Sequence, residues 1–303
     1  MSDGQIVVSG LTKIYKTVRA VDNLSFTVEP GRVTGFLGPN GAGKTTTLRM
    51  ILNLVRPNAG VATIGGQRYA DLHEPLRHVG AVLEASSAHR GRTGRNHVRI
   101  TCAAAGMPDK RADEVLAIVG LTPAAKRKFK GYSMGMRQRL GIAQALLGDP
   151  RVLILDEPAN GLDPEGIRWM RQLLKGMADQ GRTILVSSHL LSEMELLADD
   201  VVIIAAGQLI RQGSVQSIVD SMSHQGRVRV RTPSPDVLTT AVQEKGGTVA
   251  PGADGALAVT GMDAPGVGAA AFAAGVELHE LTTERPDLEG VFLELTHDKA
   301  GIR

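Results

Sequence analysis

Apolar positions along this chain fall into two rhythms. Val33 to Leu37, Val79 to Leu83, Val152-Leu153-Ile154-Leu155 and Thr183 to Val186 are short continuous runs that read as strands. The unbroken apolar stretch of the third implies burial on both faces of a parallel sheet. Between these runs the spacing becomes helical. Leu48, Ile51, Leu52 and Val55 follow the first strand on one helical face, and Pro57-Asn58 with Gly60 stops that helix. A later helix is capped by Asp163, has Pro164 at its first position, carries Ile167, Met170, Leu174 and Met177 on one face, and meets Gly181 past its end. Strand followed by helix, repeated, predicts an α/β core whose functional loops lie at the carboxyl ends of the strands.

The flanking segments follow other patterns. Ile6-Val7-Val8 and Leu24-Ser25-Phe26-Thr27-Val28, separated by turn residues, predict an antiparallel lead-in over residues 5 to 37, and Val61 to Ile64 reads as another short strand. From Ala85 to Gly131 the pattern is helical and rich in basic residues, which predicts a helical subdomain over about 85–150. The patch Lys126-Arg127-Lys128 with Lys130 reads as a solvated face. Near Ser221 to Gly226 the chain turns polar, and Arg227-Val228-Arg229-Val230-Arg231 then restarts a strict two-residue period. Residues 226–303 read β-α-β-β-α-β with a last helix at Leu288 to Leu295, so a small α+β accessory domain is expected after a main domain at 1–225.

Composition narrows the class only a little. The chain has 303 residues, 43% of them hydrophobic and 3% aromatic, so it can fill a large aliphatic core. A formal net charge of +3 is too small to demand nucleic acid as a partner, and none is expected. With one cysteine, Cys102, an internal disulfide is excluded. Residues Met1 to Gln5 lack the layout of a secretion signal, and no apolar run approaches the ~20 residues that span a bilayer. A soluble chain is expected, and any membrane role would need a second one.

The chemistry is concentrated in Gly38-Pro39-Asn40-Gly41-Ala42-Gly43-Lys44-Thr45, which fits the phosphate-binding pattern G-x-x-x-x-G-K-[ST] between a strand and a helix. Glycines let backbone N–H groups converge on phosphate oxygens, and the helix N-terminus adds partial positive charge there. Lys44 would reach the β- and γ-phosphates of a nucleoside triphosphate, the Thr45 hydroxyl would ligate Mg²⁺, and Thr46 completes the loop. Three further motifs accompany it. The apolar strand ends in Asp156-Glu157-Pro158; Tyr132-Ser133-Met134-Gly135-Met136-Arg137-Gln138-Arg139 precedes a helix; and Ser187-Ser188-His189 closes the strand from Thr183. Asp156 can hold Mg²⁺ through water. Ser133 is a good helix N-cap, and Gly135 lacks a Cβ that would block a phosphate.

Together these motifs resemble the ATP-binding-cassette (ABC) ATPases over residues 5 to about 220. The resemblance implies a P-loop, RecA-like core with an antiparallel β subdomain and a helical subdomain, and it implies ATP hydrolysis with Mg²⁺. The family reads its signature as Leu-Ser-Gly-Gly-Gln; here Ser133 and Gly135 match, while Tyr132, Met134 and Met136 depart. In the family this motif meets the γ-phosphate bound to the opposite protomer, which implies a head-to-tail homodimer. Asn160-Gly161-Leu162-Asp163 resembles the family's D-loop. Glu157 would polarise the attacking water, His189 would grip the γ-phosphate, Tyr15 would stack on adenine, and Lys44 completes the expected catalytic set.

One departure is diagnostic. Where the family's Q-loop glutamine is expected, this chain has Glu84, whose carboxylate can still offer oxygen to Mg²⁺. Glutamate there, with the ending Asp287 to Thr296, resembles exporter ATPases of the bacitracin, daunorubicin and lantibiotic-immunity group. The resemblance implies an efflux transporter's ATPase subunit on the cytoplasmic face of the membrane, held by a separate permease and coupled through the 85–131 segment. A soluble non-transport cassette ATPase and an importer subunit are the competing readings.

Overall fold

The protein is represented by a computed structural model that describes residues 4–83, 88–223, 227–284 and 287–300. Glu84 lies outside the described residues. The chain divides into two compact units, Met1–Val215 with Leu295–Arg303, and Gln216–Glu294.

In the larger unit, strands β1 (Ile6–Tyr15) and β2 (Val18–Val28) pair antiparallel. Strand β3 (Val33–Leu37) is buried at every position and leads through the glycine loop into helix α1 (Lys44–Ile51). Val55, expected on this helix, lies beyond it. Asn53 adopts left-handed backbone at φ 55, and the N–H groups of Asn53 and Leu54 bond the carbonyls of Met50 and Arg49, closing the helix in a Schellman arrangement. Strand β4 (Ala59–Ile64) then returns to pair with β1, giving the antiparallel order β2-β1-β4.

A short helix α2 (Pro75–His78) feeds strand β5 (Val79–Val82). Helices α3 (Gly94–Ala104), α4 (Asp109–Ile118) and α5 (Met134–Ala145) occupy the segment expected to be helical. Ion pairs of Arg95 with Asp113 and of Arg99 with Asp109 tie α3 to α4, and the guanidinium beside each carboxylate holds its pKa below the usual range.

The chain continues through β6 (Val152–Asp156), α6 (Pro164–Asp179), β7 (Thr183–Ser188), α7 (Leu191–Leu197), β8 (Asp200–Ala205) and β9 (Gln208–Ser214), after which α8 (Val215–Ser223) enters the smaller unit. The central sheet runs β5-β6-β7-β3-β8-β9, parallel except for the β8–β9 hairpin at its edge. Strands β3, β6 and β7 are buried along their whole length, as continuous apolar runs require. Phe26 of β2 stacks on Phe36 of β3 with centroids 5.2 Å apart, joining the two sheets in one core with Leu48, Ile51 and Ile154. The fold is the expected P-loop α/β core with an antiparallel sheet and a helical segment.

The smaller unit contains β10 (Arg227–Arg231), α9 (Pro235–Glu244), β11 (Thr248–Pro251), β12 (Leu257–Thr260), α10 (Ala264–Ala273) and β13 (Glu280–Glu284), followed by α11 (Leu288–Ala300). Its antiparallel sheet has the order β11-β12-β10-β13, the split β-α-β arrangement of ferredoxin-like folds. Val228, Val230 and Val259 form its core with Leu238 and Val242 of α9 and Val267 of α10.

Candidate functional site

Strand order places the chemistry. β7 lies between β3 and β6, so the glycine loop after β3, Asp156-Glu157 at the end of β6 and Ser187-Ser188-His189 at the end of β7 emerge side by side. In the loop, Gly43 sits at φ 101, and a Cβ there would stand 2.4 Å from the carbonyl oxygen of Ala20 on β2. Only glycine allows both the backbone angle and this approach. The N–H of Gly207, in the β8–β9 turn, donates to the Ala42 carbonyl and braces the loop from behind.

Lys44 opens α1, and its side chain folds back into the loop. Its Nζ donates to the carbonyls of Gly38 at 2.5 Å and Pro39 at 3.3 Å. Burial lowers the Lys44 pKa, opposed by the nearby charges of Glu157 and Asp156. The first intrahelical bond runs from Thr47 N–H to the Gly43 carbonyl. The N–H groups of Lys44, Thr45 and Thr46 therefore have no carbonyl one turn earlier to bond and are oriented for an anion.

A chain of hydrogen bonds links the strand ends. Thr45 Oγ1 donates to Asp156 Oδ2 at 2.6 Å, and Ser187 Oγ donates to Asp156 Oδ1. Ser187 Oγ also accepts from Glu157 N–H at 3.0 Å, and the Ser187 carbonyl accepts from the same N–H at 3.2 Å. Glu157 Oε2 lies 2.6 Å from His189 Nδ1 and accepts from His189 N–H at 3.3 Å. Asp156 is buried, whereas Glu157 and His189 retain solvent access. Thr45 and Asp156 thus present hard oxygen donors side by side, a donor set that fits Mg²⁺. A buried ammonium and oriented N–H groups beside them fit a polyphosphate.

Of the residues expected in the site, the structure brings together the loop from Gly38 to Thr46 with Asp156, and sets Glu157 with His189 on the adjoining strand ends. It does not bring Ser133, Gly135 or Tyr15 into that hydrogen-bonded chain. Ser133 caps α5, its Oγ accepting from Met136 N–H at 3.2 Å. A Cβ on Gly135 would lie 3.3 Å from the Gly161 carbonyl oxygen, so α5 begins against the loop that follows Glu157. Tyr15 ends β1 with 45% of its surface exposed, and Lys13 Nζ stands 5.1 Å from its ring centroid. The sequence places Ser187 in the strand-ending motif but gives it no role of its own, although it joins both carboxylate positions. Its one available signal is a small polar residue closing a buried strand.

A strand, a glycine loop and a helix beside two strand-end carboxylates define a P-loop nucleoside triphosphatase. Residues 21–160 match the family described as ABC transporter. The chain is 46% identical over 210 residues to the bacitracin transport ATP-binding protein BcrA of Bacillus licheniformis, covering 68% of this chain and 69% of that protein. It is 35% identical over 203 residues to the lantibiotic transport ATP-binding protein SrtF of Streptococcus pyogenes, covering 67% and 88%. A solved ATP-binding subunit of an ABC transporter superposes with TM-score 0.65 at 29% identity, covering 72% of this chain and 93% of that one. The dimeric cassette MJ0796, in a post-hydrolysis state bound to ADP and Pi, superposes with TM-score 0.63 at 25% identity, covering 69% and 98%. The chain belongs to the ABC transporter ATP-binding proteins, and its larger unit is an ATP-hydrolysing cassette. Residues 226–289 match a domain of unknown function, DUF8746. No helix among the described residues is long and apolar enough to cross a membrane.

Proposed function

We propose that this protein is the ATPase subunit of an efflux transporter, acting as a head-to-tail pair on the cytoplasmic face of the membrane beneath a separate permease. The observation that carries the catalytic part is the hydrogen-bonded chain from Thr45 through Asp156 and Ser187 to Glu157 and His189. The efflux part rests on the likeness to ATP-binding proteins named for bacitracin and lantibiotic transport. Thr45 and Asp156 would hold Mg²⁺, which neutralises phosphate charge and orients the triphosphate when bound. Lys44 and the first-turn N–H groups of α1 bind and orient the β- and γ-phosphates. Glu157 accepts a proton from the attacking water, and His189, on the same carboxylate, orients it and donates toward the γ-phosphate. Tyr15 stacks on the adenine, and Ser133 with Gly135 completes the site of the opposite protomer. Glu84 would add an oxygen to the metal shell.

Fractionation of cells that make a tagged chain tests the reading. The chain is expected in washed membranes, bound to a multispanning protein that stimulates its ATPase when both are placed in vesicles. A chain found wholly in the soluble fraction, with turnover unmoved by that protein, would overturn it.

A further inference from the structure

The smaller unit carries a cleft to which the cassette chemistry assigns nothing. Helices α9 and α10 pack on one face of its sheet. The two-residue period of β10 sends Val228 and Val230 into the core and Arg227, Arg229 and Arg231 to the opposite, open face. Ala258 of β12 pairs with Arg229, and Ala250 of β11 pairs with Ala258, so small side chains continue that face beside the arginines. The result is a depression of about 520 Å³. Its lining includes Arg227 and Arg229 of β10 with Ala250 and Pro251 of β11 and Ala258 and Thr260 of β12.

Charge in the cleft is one-sided. Among the described residues its lining contains two guanidinium groups and no carboxylate. Among the described residues, acidic groups lie to either side: the Glu280 carboxylate of β13 stands 3.1 Å from Nε of Arg229 and 3.1 Å from Nε of Arg231 as an ion pair with each, and the exposed Asp254 carboxylate stands 3.8 Å from Arg229. Glu280 neutralises the Nε side of Arg229, while Arg227, exposed beside the cleft, has no ion pair among the described residues. A planar guanidinium presents paired N–H donors matched to the oxygens of a carboxylate or phosphate. The volume falls within the range of small-molecule sites, and an alanine and proline surface suits a flat apolar body.

We propose that this cleft binds a small organic oxyanion, its carboxylate or phosphate held by Arg227 and Arg229 and its apolar body laid over Ala250 and Ala258. The site would make the smaller unit a ligand-binding module attached to the cassette.

Calorimetric titration of the full-length protein tests this, with the nucleotide site kept filled by saturating Mg·ADP. Phenyl phosphate and benzoate present the two oxyanions on one ring. At least one is expected to bind saturably at one site per chain. Binding by phenyl phosphate alone assigns a phosphate ester, and by benzoate alone a carboxylate. Arg227→Gln should weaken that binding at least ~10-fold, as loss of a charge-assisted fork does. Ala258→Leu, which fills the cleft without touching a charge, should weaken it comparably, while Arg231→Gln, on the same face but outside the cleft, should leave it unchanged. Absence of binding by both anions, or binding that Arg227→Gln and Ala258→Leu leave intact, would overturn the proposal.

Discussion

Glu157 holds its carboxylate from a left-handed backbone position, φ 50, that a residue with a Cβ adopts only under constraint. The constraint is Ser187, whose hydroxyl and carbonyl both accept from the Glu157 N–H while the hydroxyl donates to Asp156. Ser187 therefore ties the Glu157 backbone to the Asp156 carboxylate. Ser187→Ala should keep nucleotide binding and lower kcat about 10-fold, the effect of one hydrogen bond lost from a positioned group. A variant that instead loses affinity with unchanged kcat would place Ser187 in binding. Replacing Glu157 itself with Gln keeps shape and removes the proposed base, so hydrolysis measured in a single turnover should slow at least ~10²-fold with ATP still bound. At this scale the placement of Lys44, Thr45, Asp156 and Glu157 at neighbouring strand ends was legible, because each stands at a position its motif defines. The role of Ser187 was not, since it arises only when β6 and β7 lie side by side.

Elements show the same division. The buried strands β3, β6 and β7 and the caps of α6 could be read from local pattern: Asp163 Oδ1 accepts from Gly166 N–H at 2.8 Å, and Pro164 follows it. Strand β9, helix α8 and the short α2 were not read, and β9 is a mostly exposed edge strand without apolar periodicity. The junction of α5 with the loop after β6 was equally hidden. Gly161 sits at φ 76, and a Cβ there would stand 2.4 Å from Cγ of Met134, the first residue of α5. Met134 thus packs the start of α5 onto the loop that leaves Glu157, at the place where the family signature has glycine. Gly161→Ala should cost about 2 kcal/mol, roughly half from the left-handed backbone and half from the clash. Adding Met134→Ala relieves only the clash, so chemical denaturation should recover only part of the loss. Full recovery would show that the backbone angle costs nothing, and no recovery that Met134 is not what Gly161 accommodates.

For the whole molecule, a P-loop core with an antiparallel and a helical part was legible because its motifs lie on successive strands, and the β-α-β-β-α-β order of the smaller unit followed from period alone. How two copies meet is a matter between chains, and the proposed head-to-tail pair makes a demand that a self-sufficient chain does not. Each site would take Lys44 from one copy and Ser133 from the other. Lys44→Ala should be inactive by loss of phosphate binding. Ser133→Asp should be inactive for another reason: aspartate still caps α5 but brings a negative charge toward the partner's triphosphate. In a mixed pair one site carries both defects and the other carries neither. Mixing the two inactive proteins in equal amounts should therefore restore ATPase to about a quarter of the wild-type rate, since half the pairs are mixed and each has one sound site. Were Ser133 to serve the nucleotide of its own chain, every site in the mixture would remain defective. Phosphate release from the mixture, measured against each variant alone, decides between the two arrangements.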